Sequence, residues 1–254
     1  MRIDRVGAGV FRMRLRMSNA YLLLDETSGE SALVDTGLTE DRQRLLDALE
    51  HIGVARSRLR KVFNTHAHCD HAGNARFLAD GAPESPGCPP ARVPICISEI
   101  ESLYLSGERP GYGPPGMRKL LRPAMSYVMR QAERKHPVPR CSADHRFRDG
   151  ESIDAPGGPL RVVMSPGHSP GHAALFRERD GLLFSGDAIL NADFRRRIGL
   201  AVPVRISCDN YRRARESATK LAALRPAALL SGHGPPVLEN AAAALAEFAA
   251  KLAR

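Results

Sequence analysis

Three imidazoles and a carboxylate crowd one short stretch of this chain, Thr65-His66-Ala67-His68-Cys69-Asp70-His71. Imidazole nitrogen and carboxylate oxygen are natural ligands for zinc near neutral pH. His66 and His68 stand at i and i+2, so an extended backbone projects both to the same side. The chain must then turn for Asp70 and His71 to face the same space. Isolated surface histidines are common, but potential ligands packed this densely are not, and the cluster points to a bound metal.

One loop rarely completes two metal sites, so more ligands are expected from elsewhere. Three segments offer them: Ser165-Pro166-Gly167-His168-Ser169-Pro170-Gly171-His172, Ser185-Gly186-Asp187 and Ser231-Gly232-His233-Gly234-Pro235. Each follows an apolar run that reads as a strand. Gly or Pro flanks each ligand, as tight turning at a strand end requires. A lone Gly-His is weak evidence, but these segments and the first cluster together form a pattern. Ser169 and Ser185 have no evident partner that would make either a nucleophile, so both are read as turn-stabilising.

The elements that must carry these loops are legible around them. Val10 to Leu15 alternates apolar residues with Arg, as a half-buried strand does. Ala20 to Leu24 and Ala32 to Val34 flank Ser28-Gly29 and read as a hairpin. Thr39 is expected to N-cap a helix with Leu45, Leu46, Leu49 and Ile52 on one face, closed by Gly53. Lys61-Val62-Phe63 is a short strand running into the ligand cluster, and a helix is expected to begin over Gly73 to Leu78. Val93 to Ile97 reads as a buried strand, followed by a helix near Ser98 to Leu105. From Phe147 the strand pattern returns, at Ser152 to Asp154, Leu160 to Met164, Ala173 to Phe176 and Leu182 to Phe184. Asp209 to Leu224 is helical, Ala227 to Leu230 a last strand, and Leu238 to Leu252 a final Ala-rich helix. Two groups of strands, each with helices, predict an α/β fold of two packed sheets with helices outside. Residues 1–254 are expected to form a single domain.

Residues 107–140 break this rhythm. Gly and Pro cluster at 107–116, a basic helical stretch covers Met117 to Lys135, and His136-Pro137-Val138-Pro139 stops it. The stretch reads as an insertion, either a lid or a dimer element, which leaves a homodimer open. Tyr104, Tyr112, Met117, Leu121, Met125 and Met129 would supply apolar substrate-pocket surface there, or else a core or dimer face.

Composition excludes several classes. The 254 residues are 43% hydrophobic and 26% charged, an ordinary globular balance. No run approaches the roughly 18 apolar residues of a membrane span. Met1 to Met17 alternates Arg with apolar residues and lacks the apolar core of a secretory signal, so a cytoplasmic location is expected. The five cysteines are scattered without CxxC spacing, which suits reduced thiols better than a disulfide framework. The formal charge of +9 is spread along the chain with few aromatics and no Trp. It is read as the solvated surface of an Arg-rich protein, not a nucleic-acid interface.

The pattern of Val34-Asp35-Thr36-Gly37, the His66–His71 loop and the later His168, Asp187 and His233 resembles the metallo-β-lactamase superfamily over nearly the whole chain. The resemblance implies an αββα sandwich of two mixed β-sheets, with helices on both outer faces and two metals at the sheet edges. It assigns His66, His68 and His168 to one metal, Asp70, His71 and His233 to the other, and Asp187 to a bridge between them. His172 is not a ligand in that pattern and is expected to pack or bond nearby. The ions would be divalent, with zinc expected and iron or manganese accepted by the same ligands. Two cations sharing a water lower its pKa and hold it as hydroxide, which attacks an ester, thioester, lactone or amide carbonyl. Asp70 would orient that hydroxide and pass a proton to the leaving group.

Subfamily features narrow this further. True β-lactamases of the fold place Cys or Ser where Asp187 stands and are exported. Glyoxalase II enzymes share the metal loop but add a C-terminal helical region, and this chain ends soon after His233. Flavodiiron proteins carry Glu at the position of His68. Persulfide dioxygenases use one iron and do not need His233; Asn191-Ala192-Asp193-Phe194 is similar to theirs. The ligand set favours a hydrolase of a small-molecule ester, thioester or lactone. Two alternatives stand: a phosphodiesterase or nuclease of the same fold, with Arg118, Lys119, Arg122, Arg130, Arg134 and Lys135 as its phosphate-tracking face, and a mononuclear-iron enzyme like the persulfide dioxygenases.

Overall fold

A computed structural model describes residues 2–81, 92–109, 135–193 and 197–253. The first sheet has seven strands in chain order: β1 (Arg2–Gly7), β2 (Val10–Arg14), β3 (Asn19–Leu24), β4 (Ser31–Val34), β5 (Leu59–Phe63), β6 (Ile95–Ser98) and β7 (His145–Phe147). β1 to β4 run antiparallel, and β4 to β7 are parallel neighbours. The second sheet contains β8 (Ser152–Ile153), β9 (Leu160–Met164), β10 (Ala173–Arg177), β11 (Leu182–Gly186) and β14 (Ala228–Ser231), in the order β14-β11-β10-β9-β8. Only β11 and β14 pair in parallel there. β12 (Leu190–Ala192) and β13 (Ile198–Ala201) form a separate antiparallel pair.

The alternation of side chains along each strand builds three apolar layers. Tyr21, Leu23, Ala32, Val34 and Phe63 of the first sheet share one buried cluster with Leu160, Val162, Leu175, Phe184 and Leu230 of the second. This is the layer between the sheets. The alternate residues Ala20, Leu22, Leu33 and Val62 join Leu45 and Leu49 of α1 (Arg42–Ile52) and Leu78 of α3 (Ala75–Asp80). On the far side, Val163, Ala174, Leu183 and Leu229 pack on Leu221 of α5 (Tyr211–Ala222) and on Leu245 and Phe248 of α6 (Ala241–Leu252). Strands covered on both faces read as nearly continuous apolar runs. The αββα order expected from the sequence is the order observed.

Several boundaries differ from expectation. Thr39 does not cap α1: it opens a short 3-10 turn, Thr39–Asp41, and its hydroxyl donates to Glu40 Oε2 at 2.9 Å. Asp41 holds the boundary instead, its buried carboxylate accepting the N–H groups of Arg16 and Leu38 at 3.1 and 3.2 Å. Gly53 does close α1, in a left-handed conformation with φ 82°. Helix formation after β5 begins earlier than Gly73: α2 (Cys69–Ala72) lies inside the ligand cluster itself, with His68 as its extended N-cap residue. The edge strand β1, the strand β7 and the β12–β13 pair are additional to the strands expected. α4 (Glu99–Leu105) is as expected, capped by Ser98, whose Oγ accepts the Glu101 N–H.

Tyr112, Met117, Leu121, Met125 and Met129 lie outside the described residues, as does the basic face from Arg118 to Arg134. The ends of the insertion are described. Arg109 N–H donates to Leu103 O at 2.8 Å, and Cys141 N–H donates to Leu105 O at 3.0 Å. The segment therefore leaves and rejoins the fold at the C-terminal end of α4. Tyr104 is half-buried against the layer under α1 and α3.

Candidate metal centre

The ligand residues come from the ends of β5, β9, β11 and β14, which brings both sheets to one edge of the sandwich. His66 Nε2 lies 2.9 Å from His68 Nδ1, and His168 Nε2 lies 2.8 Å from the same His68 nitrogen. Three ring nitrogens thus converge on one point. A second set faces it: His71 Nε2 and His233 Nε2 are 3.4 Å apart, and Asp70 Oδ2 is 3.3 Å from His233 Nε2. Asp187 stands between the sets. Its Oδ1 is 3.3 Å from His71 Nε2, and its Oδ2 is 3.5 Å from His168 Nε2 and 3.2 Å from His233 Nε2. The residues read from the sequence as ligands are therefore brought together.

Neighbouring groups fix which ring nitrogen faces inward. His71 Nδ1 donates to Asp35 Oδ2 at 2.8 Å, so Nε2 is the nitrogen that faces the centre. The Thr65 hydroxyl donates to the Asp35 carboxylate at 3.0 Å and accepts from His66 Nδ1, also at 3.0 Å, so His66 likewise presents Nε2. His233 Nδ1 donates to the Met17 carbonyl at 2.9 Å, with the same result. Asp35 thus serves two ligands at once, from a backbone held at φ 61°. Sequence reading placed Asp35 in a motif without giving it a task.

The loops themselves are pinned. The His71 carbonyl accepts from Thr36 N–H, Thr36 Oγ1 and Asn64 Nδ2, at 2.7, 2.9 and 3.0 Å. Asn19 Nδ2 donates to Ser231 O and Gly234 O at 2.9 and 2.7 Å, and Tyr21 OH donates to Ser231 O at 2.7 Å. The His233 turn is therefore held by β3 of the other sheet. Glycine is obligatory at two points. A Cβ on Gly232 would lie 2.3 Å from Asp187 Oδ1 and 2.8 Å from His71 Cε1, and one on Gly186 would lie 2.6 Å from His172 Nε2.

His172 does bond nearby, as expected of a residue outside the ligand set. Its Nε2 accepts the Asp187 backbone N–H at 3.0 Å, so its proton sits on Nδ1, 2.8 Å from Ser165 Oγ. Burial pushes its pKa down to about 3, which keeps the ring neutral. Ser169 and Ser185 have structural partners, Glu101 Oε1 and Ile189 O, each at 2.8 Å.

Electrostatically the two ligand sets are unlike. Burial and then repulsion by neighbouring imidazoles hold His66 and His168 well below the ordinary histidine range. Burial brings His68 down to about 4. In the other set burial works against charge but loses. Asp187, Asp70 and Asp35 hold His71 well above its usual value, and Asp187 and Asp70 raise His233 to about 10. Burial would raise Asp70 and Asp187, yet their cationic partners His71 and His233 hold both carboxylates ionised.

This donor set fits divalent metal. Among the described residues, three groups have ligand atoms within 4.8 Å of one another: His66, His68 and His168; His66, His71 and Asp187; and Asp70, His71 and His233. His66 Nε2 and His168 Nε2 both press on the one His68 Nδ1, and a cation at that point would satisfy all three nitrogens at once. Asp187 Oδ1 is buried without a hydrogen-bond partner, as a metal-directed oxygen would be.

A family model described as the metallo-beta-lactamase superfamily matches residues 13–233, and the chain belongs to that superfamily. The class this defines is metal-dependent hydrolase. The chain is 25% identical over 255 residues to the "Probable metallo-hydrolase YflN" of Bacillus subtilis (strain 168), covering 96% of this chain and 91% of the relative. It is 26% identical over 193 residues to the "Atrochrysone carboxyl ACP thioesterase" of Aspergillus fumigatus, covering 74% of this chain but 45% of that protein. A metallo-beta-lactamase family protein from Thermus thermophilus has the same fold, with a TM-score of 0.69 at 24% identity over 96% of this chain and 79% of that one. No helix among the described residues is long and apolar enough to cross a membrane.

Proposed function

We propose that the protein is a dinuclear hydrolase of small-molecule esters, thioesters or lactones. The observation that carries this reading is Asp187, whose two oxygens lie within reach of His71 on one side and of His168 and His233 on the other. His66, His68 and His168 would hold one ion, Asp70, His71 and His233 the second, and Asp187 both. Zinc suits these nitrogen and oxygen donors, and iron or manganese would also be accepted. When bound, such ions polarise a carbonyl and make a nucleophile of water near neutral pH.

The chain's own residues supply position and proton handling. Asp70 is kept as a carboxylate by His71 and His233. It can therefore take a proton from the attacking water and hand that same proton to the leaving group. Asp35 and Thr65 hold ring orientation during the reaction. Residues 107–140 are proposed to set substrate preference. Thioesters are favoured by the activity for which the Aspergillus fumigatus relative is named.

An activity panel on metal-loaded protein tests the reading: p-nitrophenyl esters, acyl-thioesters, lactones, nitrocefin and bis-p-nitrophenyl phosphate. Turnover of the carbonyl substrates is expected, with loss in His66→Ala. Turnover of the phosphodiester alone would overturn the proposal in favour of a nuclease. Replacing residues 107–140 by a short linker should change substrate preference while metal content survives.

A further inference from the structure

Ser98-Glu99-Ile100-Glu101 has the spacing of a helix capping box, in which the Glu side chain folds back on its own helix. Here the carboxylate is directed across to the loops that carry the metal ligands. Glu101 is fully buried. Its Oε2 accepts the N–H of Ala67, the residue between His66 and His68, at 3.0 Å. Its Oε1 accepts the Ser169 hydroxyl and the Gly171 N–H, both at 2.8 Å. One side chain therefore grips the loop before α2 and the loop before β10, which lie about a hundred positions apart in the chain. Ser98 adds a second tie, its Oγ donating to Gly171 O at 2.6 Å. The loop sits directly on the start of α4: a Cβ on Gly171 would meet Ile100 Cβ at 2.7 Å and Glu101 N at 3.0 Å.

We propose that Glu101 is a positioning residue for the three-imidazole half of the centre, setting the separation of His168 from His66 and His68. This rests on the metal-binding reading above. The residue type follows from its partners. Ala67 and Gly171 offer N–H groups and Ser169 offers a hydroxyl proton, so the site needs a group that only accepts. An ionised carboxylate provides acceptors on both oxygens, whereas glutamine would set an amide N–H₂ against a backbone N–H. Hydrogen bonds to a charged acceptor are also about twice as strong as neutral ones. His71 and His233 are held by other groups, Asp35 and the Met17 carbonyl. The effect of Glu101 should therefore fall on one half of the centre.

The test uses Zn²⁺ and Co²⁺ as probes on chelator-stripped protein. E101Q is introduced into two backgrounds, His233→Ala, which retains the three-imidazole triad, and His168→Ala, which retains the other. Ion affinity is measured by calorimetry, and the Co²⁺ absorption spectrum reports ligand geometry. In the His233→Ala background E101Q should weaken binding about 10- to 100-fold and alter the spectrum, against a change of under about threefold in the His168→Ala background. Unchanged affinity in the first background, or equal losses in both, overturns the proposal. Should E101Q fail to fold, S169A removes one donor only, and its loss of affinity must show the same bias or the proposal fails. Intact chain that takes up neither ion overturns the metal reading itself, and this inference with it.

Discussion

The two ligand triads meet at Asp187, yet they are electrically opposite. His66, His68 and His168 are neutral bases crowded together by burial. His71 and His233 are cations paired with carboxylates. The difference teaches that one ligand list contains two binding problems. An ion entering the first triad meets nitrogens already free of protons. An ion entering the second must displace protons from His71 and His233, and its uptake is linked to proton release.

The largest way to break the comparison is to remove what the triads share. Asp187→Ala should abolish high-affinity binding of both ions and lower kcat/KM by on the order of 10³-fold or more, since several kcal/mol of transition-state stabilisation depend on them. His66→Ala should leave one ion per chain by metal analysis, so equal metal loss in the two variants would erase the distinction.

A smaller perturbation keeps every ligand residue. Gly232→Ala drives a methyl group into the space of Asp187 Oδ1 and His71 Cε1. Ligand displacement of about 1 Å should reduce kcat by about 10²-fold. Circular dichroism should remain native, and wild-type kinetics would show that the turn has more room than its contacts allow.

Acid and alkali should separate the triads in chelator-stripped protein. His68 sits at about 4 in the fold against 6.5 for the free group. The unfolded chain therefore takes this proton first as pH falls, and the contribution to stability is complete above about pH 6.5 and lost on the way to pH 4. His233 is raised to about 10. Its contribution is complete below about pH 6.5 and is lost as pH rises towards 10. Thermal midpoints across pH should show both limbs, and His233→Ala should reduce the alkaline one to the share of His71.

The smallest expected effect is Tyr21→Phe, which deletes the hydrogen bond to Ser231 O in the His233 turn. Asn19 Nδ2 still serves that carbonyl, so the loss should be that of one net hydrogen bond, about 0.5–1.5 kcal/mol. A Tm fall of about 2–4 °C for each kcal/mol is expected. Ion affinity in a His233→Ala background should not change further, because the remaining triad does not use that turn.

The candidate metal centre was legible in sequence because its ligands are chemically distinctive and sit beside Gly or Pro at strand ends. Their supports were less visible. Glu101 carried a signal, the Ser98-x-x-Glu101 spacing, but the spacing predicts a bond within one helix and not a bridge between loops. Tyr21 and Asn19 looked like ordinary strand residues, since nothing local shows that they reach Ser231. The fold followed from period-two apolar runs buried on both faces. The edge strand β1 is faint in the sequence because its exposed Arg2 and half-buried Ile3 and Asp4 give little alternation contrast. Thr39 does not cap the helix because its hydroxyl is engaged locally by Glu40, and the side chain that holds the helix entry is Asp41.

The bond network from Asn19 and Tyr21 to the turn at Ser231 also governs when the centre can come into being. Contacts between residues so far apart in sequence form late and slowly. On the ribosome, where synthesis runs at about 5–20 residues per second, His71 emerges on the order of ten seconds before His233. Until the last turn docks on β3, the nascent chain offers cations the ligands from His66 to Asp187 but not His233. The order of synthesis thus postpones full coordination until both sheets have closed.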